Sequence, residues 1–314
     1  MLKKSFIEKE KEYSNLWFAD PPNKKEALKI VEQCVKDYPE NLNIITEDLA
    51  SLYSQLDQHD QAIQILNKEL DRGIWYPKYL FRSVWNLKEY EHTVTRWNEV
   101  SAAAKENSKA EWEIILPPEY NPNKTYPLFI ALHTSGHNIA RFKESWTTLD
   151  KINREYIIVY IQSSQMVGSF HYSWEDYELA HKDIHEMTKE VFANYSVNHE
   201  QMIVGGFSES GTLSMDIALN HTYLPVKGFI ALSPYKKLNL HTKENILKAK
   251  QQGIKGSIIT GDQDKFYDEQ KEMLAEFDEI GFNCYFSVKD NFGHWFPEDL
   301  EERIDISMKY IVEK

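Results

Sequence analysis

The sequence predicts an α/β protein, a mainly parallel sheet flanked by helices, with an all-helical segment ahead of it. Three observations predict this. Residues 1 to about 105 carry helical periodicity and no convincing strand. From about residue 111, short apolar runs alternate with amphipathic stretches, and strand–helix–strand repetition of this kind builds parallel sheets. One strand–turn–helix junction, GGFSESG at 205–211, places a serine on a tight glycine turn.

The helical segment comes first. KKEALKIVEQCVKDYPEN gives an apolar stripe closed by Pro39. In NIITEDLASLYSQLDQHDQAIQILNKELDRG, Leu49, Leu52 and Tyr53 share one face, and the polar Gln58-His59-Asp60 turn follows. Ala62, Ile63, Ile65 and Leu66 restart the stripe, and Gly73 is placed to end it. VWNLKEYEHTVTRWNEV offers another turn and helix. Ala27 and Ala62 lie 35 residues apart, close to the roughly 34-residue period of tetratricopeptide arrays. This half resembles a degenerate tetratricopeptide array of two to three helix pairs, although a generic helical cap has the same pattern. Stacked pairs make a concave surface that can hold a protein or peptide partner or wall off a neighbouring site. SAAAKENSKAE begins the linker, so the expected domains are 1–107 and 108–314.

The strands follow in order. EWEIILP is short, PLFIALH is a continuous apolar run expected of a strand covered on both faces, and YIIVYIQ, QMIVGG, VKGFIALS, KGSIITG and NCYFSVK complete the set. LAHKDIHEMTKEVFANY, ESGTLSMDIALNH, DEQKEMLAEFDEIG and PEDLEERIDISMKYIVEK read as amphipathic helices between or after them.

Bulk properties exclude several classes. A chain of 314 residues suggests about two domains. A formal charge of −13 argues against nucleic-acid or anionic-membrane surfaces, which need clustered Lys and Arg. The two cysteines, Cys34 and Cys284, support neither a disulfide framework nor a metal site. The start, MLKKSFIEKEKEY, turns charged too soon for a signal peptide, and no apolar run approaches the roughly 18 residues of a membrane span. A soluble, cytoplasmic protein is expected, with no membrane span and no nucleic-acid partner.

Chemistry is expected at the carboxyl ends of the strands. A nucleophile elbow is normally G-x-S-x-G, with small residues two positions either side of a strained serine. Ser208 has Gly206 before it and Ser210 after it, whereas Ser210 is followed at that distance by β-branched Thr212, so the geometry favours Ser208. Alone, the motif equally describes a helix cap. Downstream, KGSIITG runs into Asp262-Gln263-Asp264, and DNFGHWFP carries His294. Ser, Asp and His thus occur in order at strand ends, as a hydrolytic triad of this architecture requires.

From about residue 111 onward the chain resembles the α/β-hydrolase superfamily, in particular the esterases grouped with dienelactone hydrolases, phospholipase/carboxylesterases and polyhydroxybutyrate-depolymerase-like or feruloyl-type enzymes. YPLFIALHTSGHN resembles the strand and oxyanion loop of that group, NYSVNHEQMIVGGFSESGTLSMDIAL its nucleophile stretch, ITGDQD its acid turn and GHWFP its histidine turn. The resemblance implies Ser208 as nucleophile, His294 as base and Asp264, rather than Asp262, as acid. It implies an oxyanion hole from the backbone N–H of Glu209 and of Ser135, otherwise Thr134. The chain departs from the pattern where Thr134 follows His133 in place of glycine, which puts the loop conformation in question. It also has Asn198 and Gln201 where the family often has Asp and Arg.

The aromatic stretch SSQMVGSFHYSWEDYELAH begins at a strand end. Phe170, His171, Tyr172 and Trp174, with Trp146, either line an acyl or leaving-group pocket or pack beneath the helical domain. An aromatic pocket without a basic cluster suits neutral, moderately apolar esters. No phosphate loop or H-E-x-x-H helix is present, and the spacing of His181, Asp183 and His185 is common on helices, so neither metal nor cofactor is expected. The expected function is a metal-independent serine hydrolase, a carboxylic-ester hydrolase working through an acyl-enzyme on a small-molecule or acyl-ester substrate. The alternatives are a peptidase of the prolyl-oligopeptidase kind, or a weakly active hydrolase domain serving a helical binding scaffold.

Overall fold

The computed structural model describes residues 4–18, 21–146, 152, 154–220, 223–237 and 242–313. His221 and Lys314, the last residues of two of the expected helices, lie outside the described residues. The chain divides into two compact units: Met1–Asn107 with Val167–Ser169, and Ser108–Met166 with Phe170–Lys314.

The first unit holds α1 (Lys4–Trp17), α2 (Lys24–Asp37), α3 (Leu42–Gln55), α4 (His59–Asp71) and α5 (Glu91–Glu106). Each of these helices packs on the next in sequence. Asn23 caps α2 through its side chain, and Gly73 takes φ +75° beyond α4, as a helix stop requires. One core joins α1, α2 and α3 through Phe6, Tyr13, Val31, Ile45 and Leu52. A second gathers Ala50, Ile63 and Leu66 around Tyr76, Phe81 and Val84. Ser169 belongs to this unit by hydrogen bonding, because its Oγ accepts from the Trp75 amide at 2.9 Å and its amide donates to the Trp75 carbonyl at 2.6 Å.

The second unit is a seven-stranded sheet in the order β1-β3-β2-β6-β7-β8-β9. Its strands are β1 (Glu111–Ile115), β2 (Tyr126–Leu132), β3 (Ile157–Gln162), β6 (Val197–Phe207), β7 (Gly228–Leu232), β8 (Lys255–Gly261) and β9 (Cys284–Lys289). Only β1, at the edge, runs antiparallel to its neighbour. Two short strands, β4 (Met166–Gly168) and β5 (His171–Tyr172), occur in the aromatic stretch that follows β3.

Both faces of the sheet are covered, as its apolar runs predict. Along β2, Leu128, Ile130 and Leu132 enter one core, while Phe129 and Ala131 enter the other, the period of two expected of a strand. On the first face pack α7 (Tyr177–Asn194), α8 (Glu209–Asn220), α9 (Lys243–Gln251) and α10 (Tyr267–Ile280). On the second pack α6 (Ile139–Ser145) and α11 (Leu300–Val312). One helix departs from the amphipathic reading: every residue of α8 from Glu209 to Leu219 is buried. It lies on β6 and β7 with α9 packed against it, so it has no solvent face to mark with polar residues. Its polar side chains find partners inside the protein instead: Ser214 bonds to the Gly211 carbonyl at 2.7 Å, Thr212 to the Tyr235 carbonyl at 3.0 Å and Asp216 to His181 at 2.8 Å.

Candidate active site

Strand β6 ends at Phe207, and the chain turns through Ser208 into α8. Ser208 takes φ +57°, a conformation that costs a residue with a side chain and marks a held turn. The turn is fastened from both sides: the Ser208 amide donates to the Leu232 carbonyl at 2.8 Å, and the Thr212 amide donates to the Ser208 carbonyl at 3.0 Å. The other serine of the motif has a different task. Ser210 is fully buried, its Oγ accepting from the Phe207 amide at 3.0 Å and lying 3.0 Å from the Leu132 carbonyl of β2. A Cβ on Gly206 would collide with that hydroxyl and with the Ser210 backbone. Replacing Ser210 by glycine, the residue more often found at this position, strips the buried Phe207 amide of its acceptor. We expect a loss of about 2 kcal/mol in stability, read by chemical denaturation.

The Ser208 hydroxyl lies 3.0 Å from His294 Nε2, and His294 Nδ1 lies 3.0 and 3.1 Å from the two Asp264 oxygens. An ionised carboxylate only accepts, so Nδ1 carries the imidazole proton and Nε2 presents its lone pair to the serine. Asp264 leaves β8 fully buried in its side chain, with the Phe266 amide on Oδ1 at 2.9 Å and the Thr260 hydroxyl near Oδ2 at 3.3 Å. Burial is the largest influence on its pKa and pushes it up. The His294 hydrogen bond and charge, with the Phe266 amide, outweigh that and hold the carboxyl below the usual range. The imidazole is wedged between Phe207, at 4.9 Å, and the edge of Phe266, at 5.4 Å between centroids. Asp262 is exposed and instead accepts from the Phe292 amide at 3.2 Å, bracing the loop that carries His294.

The loop after β2 faces the question raised by Thr134. The left-handed residue there is Gly136, at φ +79°, while Thr134 is not among the residues with positive φ. The glycine is displaced by two positions and the conformational demand moves with it. The Gly136 amide donates to the Tyr172 carbonyl at 2.8 Å and the His137 amide to the Thr134 carbonyl at 3.1 Å. The amides of Thr134 and Ser135 have no such acceptor among the described residues. Glu209 opens α8, so its amide has no intrahelical acceptor either.

His133 organises this loop, a role that no motif position or spacing marks. Its Nε2 accepts from the Ser163 amide at 3.2 Å, so Nδ1 bears the proton and donates to the Thr134 carbonyl at 2.8 Å. Burial lowers its pKa to about 4, and that of His137 to about 3, where Arg141 adds to burial. Both are therefore neutral in the folded protein and would take up a proton, at a pKa of about 6.5, only on unfolding. Stability should fall as pH drops from 7 to 5, by about 2 kcal/mol for each histidine. Denaturation midpoints that stay level across that window would contradict this.

The aromatic residues named from the sequence separate. Trp174 and Trp146 are fully buried, each in one of the two cores of the second unit, and neither presents a face to solvent. Trp174 stacks on His133 at 4.9 Å and donates its indole N–H to the His133 carbonyl at 2.7 Å. Trp146 packs against Phe142 and Phe296. His171 and Tyr172 are half-buried, and Phe170 is 55% exposed with φ +68°. Trp295, beside His294, is 54% exposed and was marked by no periodicity or motif position. The Glu209 carboxyl was also unforeseen. It is buried against the Trp174 amide at 2.9 Å, and burial pushes its pKa up against the pull of that amide. His181 and Asp183 are engaged elsewhere, His181 with Tyr223 and Asp216, and Asp183 with Ser164. Among the described residues no helix is long and apolar enough to cross a membrane.

The sheet order, the lone antiparallel edge strand and the serine turn after its central strand define the α/β-hydrolase fold. Solved structures agree on that fold. An uncharacterized protein from Bacillus cereus ATCC 10987 matches 98% of this chain over 98% of its own, with a TM-score of 0.56 at 22% identity. Esterase PE8 matches 65% of this chain over 100% of its own, with a TM-score of 0.51 at 16% identity. A feruloyl esterase module from Clostridium thermocellum, a serine-to-alanine mutant complexed with sinapinate, matches 64% of this chain over 83% of its own, with a TM-score of 0.50 at 17% identity. No protein-family model and no curated protein sequence matches the chain.

Proposed function

We propose that the protein is a serine hydrolase that cleaves carboxylic esters through an acyl-enzyme on Ser208. The observation that carries this is the hydrogen-bonded array Ser208–His294–Asp264 on a turn held at positive φ. Ser208 Oγ attacks the ester carbonyl while its proton passes to His294 Nε2. Asp264 holds the Nδ1–H tautomer and stabilises the imidazolium. The backbone N–H of Glu209 and that of Ser135, otherwise Thr134, receive the oxyanion. The C–O bond then breaks, and the alcohol leaves with the proton from Nε2. Water, deprotonated by the same nitrogen, attacks the acyl-enzyme to release the acid and restore the serine. The chemistry calls for no metal or cofactor.

Two features favour an active site over a decayed one. Gly136 supplies the loop conformation that Thr134 cannot, and Ser210 fastens the turn that a glycine would leave loose. The half-exposed aromatics Phe170 and Trp295, with His171 and Tyr172, suit a moderately apolar ester group. We read residues 1–107 as a tetratricopeptide-like domain with a peptide-binding surface, supported by the sequential packing of α1 to α5.

The test is covalent labelling of the folded full-length chain by a fluorophosphonate, with p-nitrophenyl acetate, butyrate and longer esters as substrates. Labelling that Ser208→Ala removes, together with ester turnover, is expected. No labelling, or labelling that survives Ser208→Ala, overturns the mechanism. Inert esters alongside cleaved peptides would replace it with the peptidase reading.

A further inference from the structure

The residue after the nucleophile carries a buried carboxylate that the mechanism above leaves idle. Glu209 is 9% exposed, and its Oε2 accepts from the Trp174 amide at 2.9 Å. The Ser135 hydroxyl stands close enough to the same carboxylate to favour its charge. Trp174 in turn grips the oxyanion loop twice, by stacking on His133 at 4.9 Å and by donating its indole N–H to the His133 carbonyl at 2.7 Å. From Glu209 the connection therefore runs through Trp174 to His133, and the next two residues are Thr134 and Ser135.

We propose that the Glu209 carboxylate is a positioning residue that ties the 133–137 loop to the first turn of α8, fixing the two oxyanion donors relative to each other. This rests on the function proposed above. One donor is the amide of Glu209 itself; the other sits on the loop that its side chain secures. The arrangement makes the spacing of the donors independent of glycine at 134. The loop is clamped by side chains from outside, where the family pattern leaves it to backbone freedom. A carboxylate is suited to the task because it accepts from the buried Trp174 amide and its charge strengthens that contact.

The experiment compares Glu209→Ala, Glu209→Gln and Trp174→Phe in the full-length chain by two readouts. Hydrogen exchange of the Gly136 and His137 amides reports the loop directly, because both are bonded in the native state. Kinetics on p-nitrophenyl acetate report the donors. Glu209→Ala should speed exchange at 133–137 by about 10-fold or more. It should cut kcat by roughly 10- to 100-fold with KM within about threefold, somewhat less than the 10²–10³ of deleting an oxyanion donor outright. Glu209→Gln keeps an acceptor oxygen for the Trp174 amide, and should recover most of the exchange protection and of kcat. Trp174→Phe should loosen the loop in the same direction as Glu209→Ala. Loop exchange and kcat both unchanged in Glu209→Ala overturns the proposal, as does a Gln variant no better than Ala. Should Glu209→Ala fail to fold, the Gln and Phe variants carry the same comparison. If the wild type neither labels nor turns over esters, the hydrolase reading falls, while exchange at 133–137 still decides whether Glu209 clamps the loop.

Discussion

Ser208→Ala is expected to lower kcat on p-nitrophenyl acetate by about 10⁴- to 10⁶-fold, with the fold intact. The size follows from what is removed: the hydroxyl proposed to attack, which lies 3.0 Å from His294 Nε2. What remains is binding and any oxyanion stabilisation, which cannot form an acyl-enzyme. Alanine keeps the Cβ and the same backbone bonds to Leu232 and Thr212, so the denaturation midpoint should move little. A variant retaining a tenth of wild-type turnover would show that another group attacks. Ser210 is not available for that role, since its hydroxyl is buried and bonded to Phe207 and Leu132.

Asp264→Asn should cost about 10³- to 10⁴-fold in kcat. An amide can donate to Nδ1 where a carboxylate only accepts. The tautomer that places hydrogen on Nε2 then becomes available, and in it the histidine cannot take the serine proton. Asp262→Asn is the matched control. It keeps an oxygen for the Phe292 amide, and turnover should stay within about threefold. The reverse pattern, a severe loss at 262 and a mild one at 264, would move the acid to the exposed residue. Because its folded pKa is held below the unfolded value, Asp264 also contributes stability above that unfolded value. The contribution is lost as pH falls through the lowered folded pKa, a window more acid than that of the buried histidines.

The α/β class was legible because its signal is local. Runs such as PLFIALH divide residue by residue between two cores, and their continuity announces a strand covered on both faces. The order of Ser208, Asp264 and His294 along the chain was also readable, since loops at parallel strand ends are separated by whole strand–helix units. What sequence could not show was which aromatics face solvent. Trp146 and Trp174 differ from Phe170 and Trp295 only in their tertiary neighbours, and a stretch without periodicity gives no face to count from. The work of His133, Phe266 and the Glu209 carboxyl was invisible for a related reason. His133 meets the Ser163 amide, the Glu209 carboxyl the Trp174 amide and the Phe266 ring that of His294, all partners far off in sequence, so no spacing rule refers to them.

The collision between a Cβ at 206 and the hydroxyl at 210 has a consequence for reading and redesigning such turns. The hydroxyl at 210 fills the space that glycine at 206 leaves open, and because the backbone at 210 also crowds that space, glycine is needed at 206 whichever small residue stands at 210. A search pattern that insists on glycine two places after the nucleophile therefore passes over this chain. A consensus-guided variant that restores the glycine would remove a fastening while appearing to repair a defect.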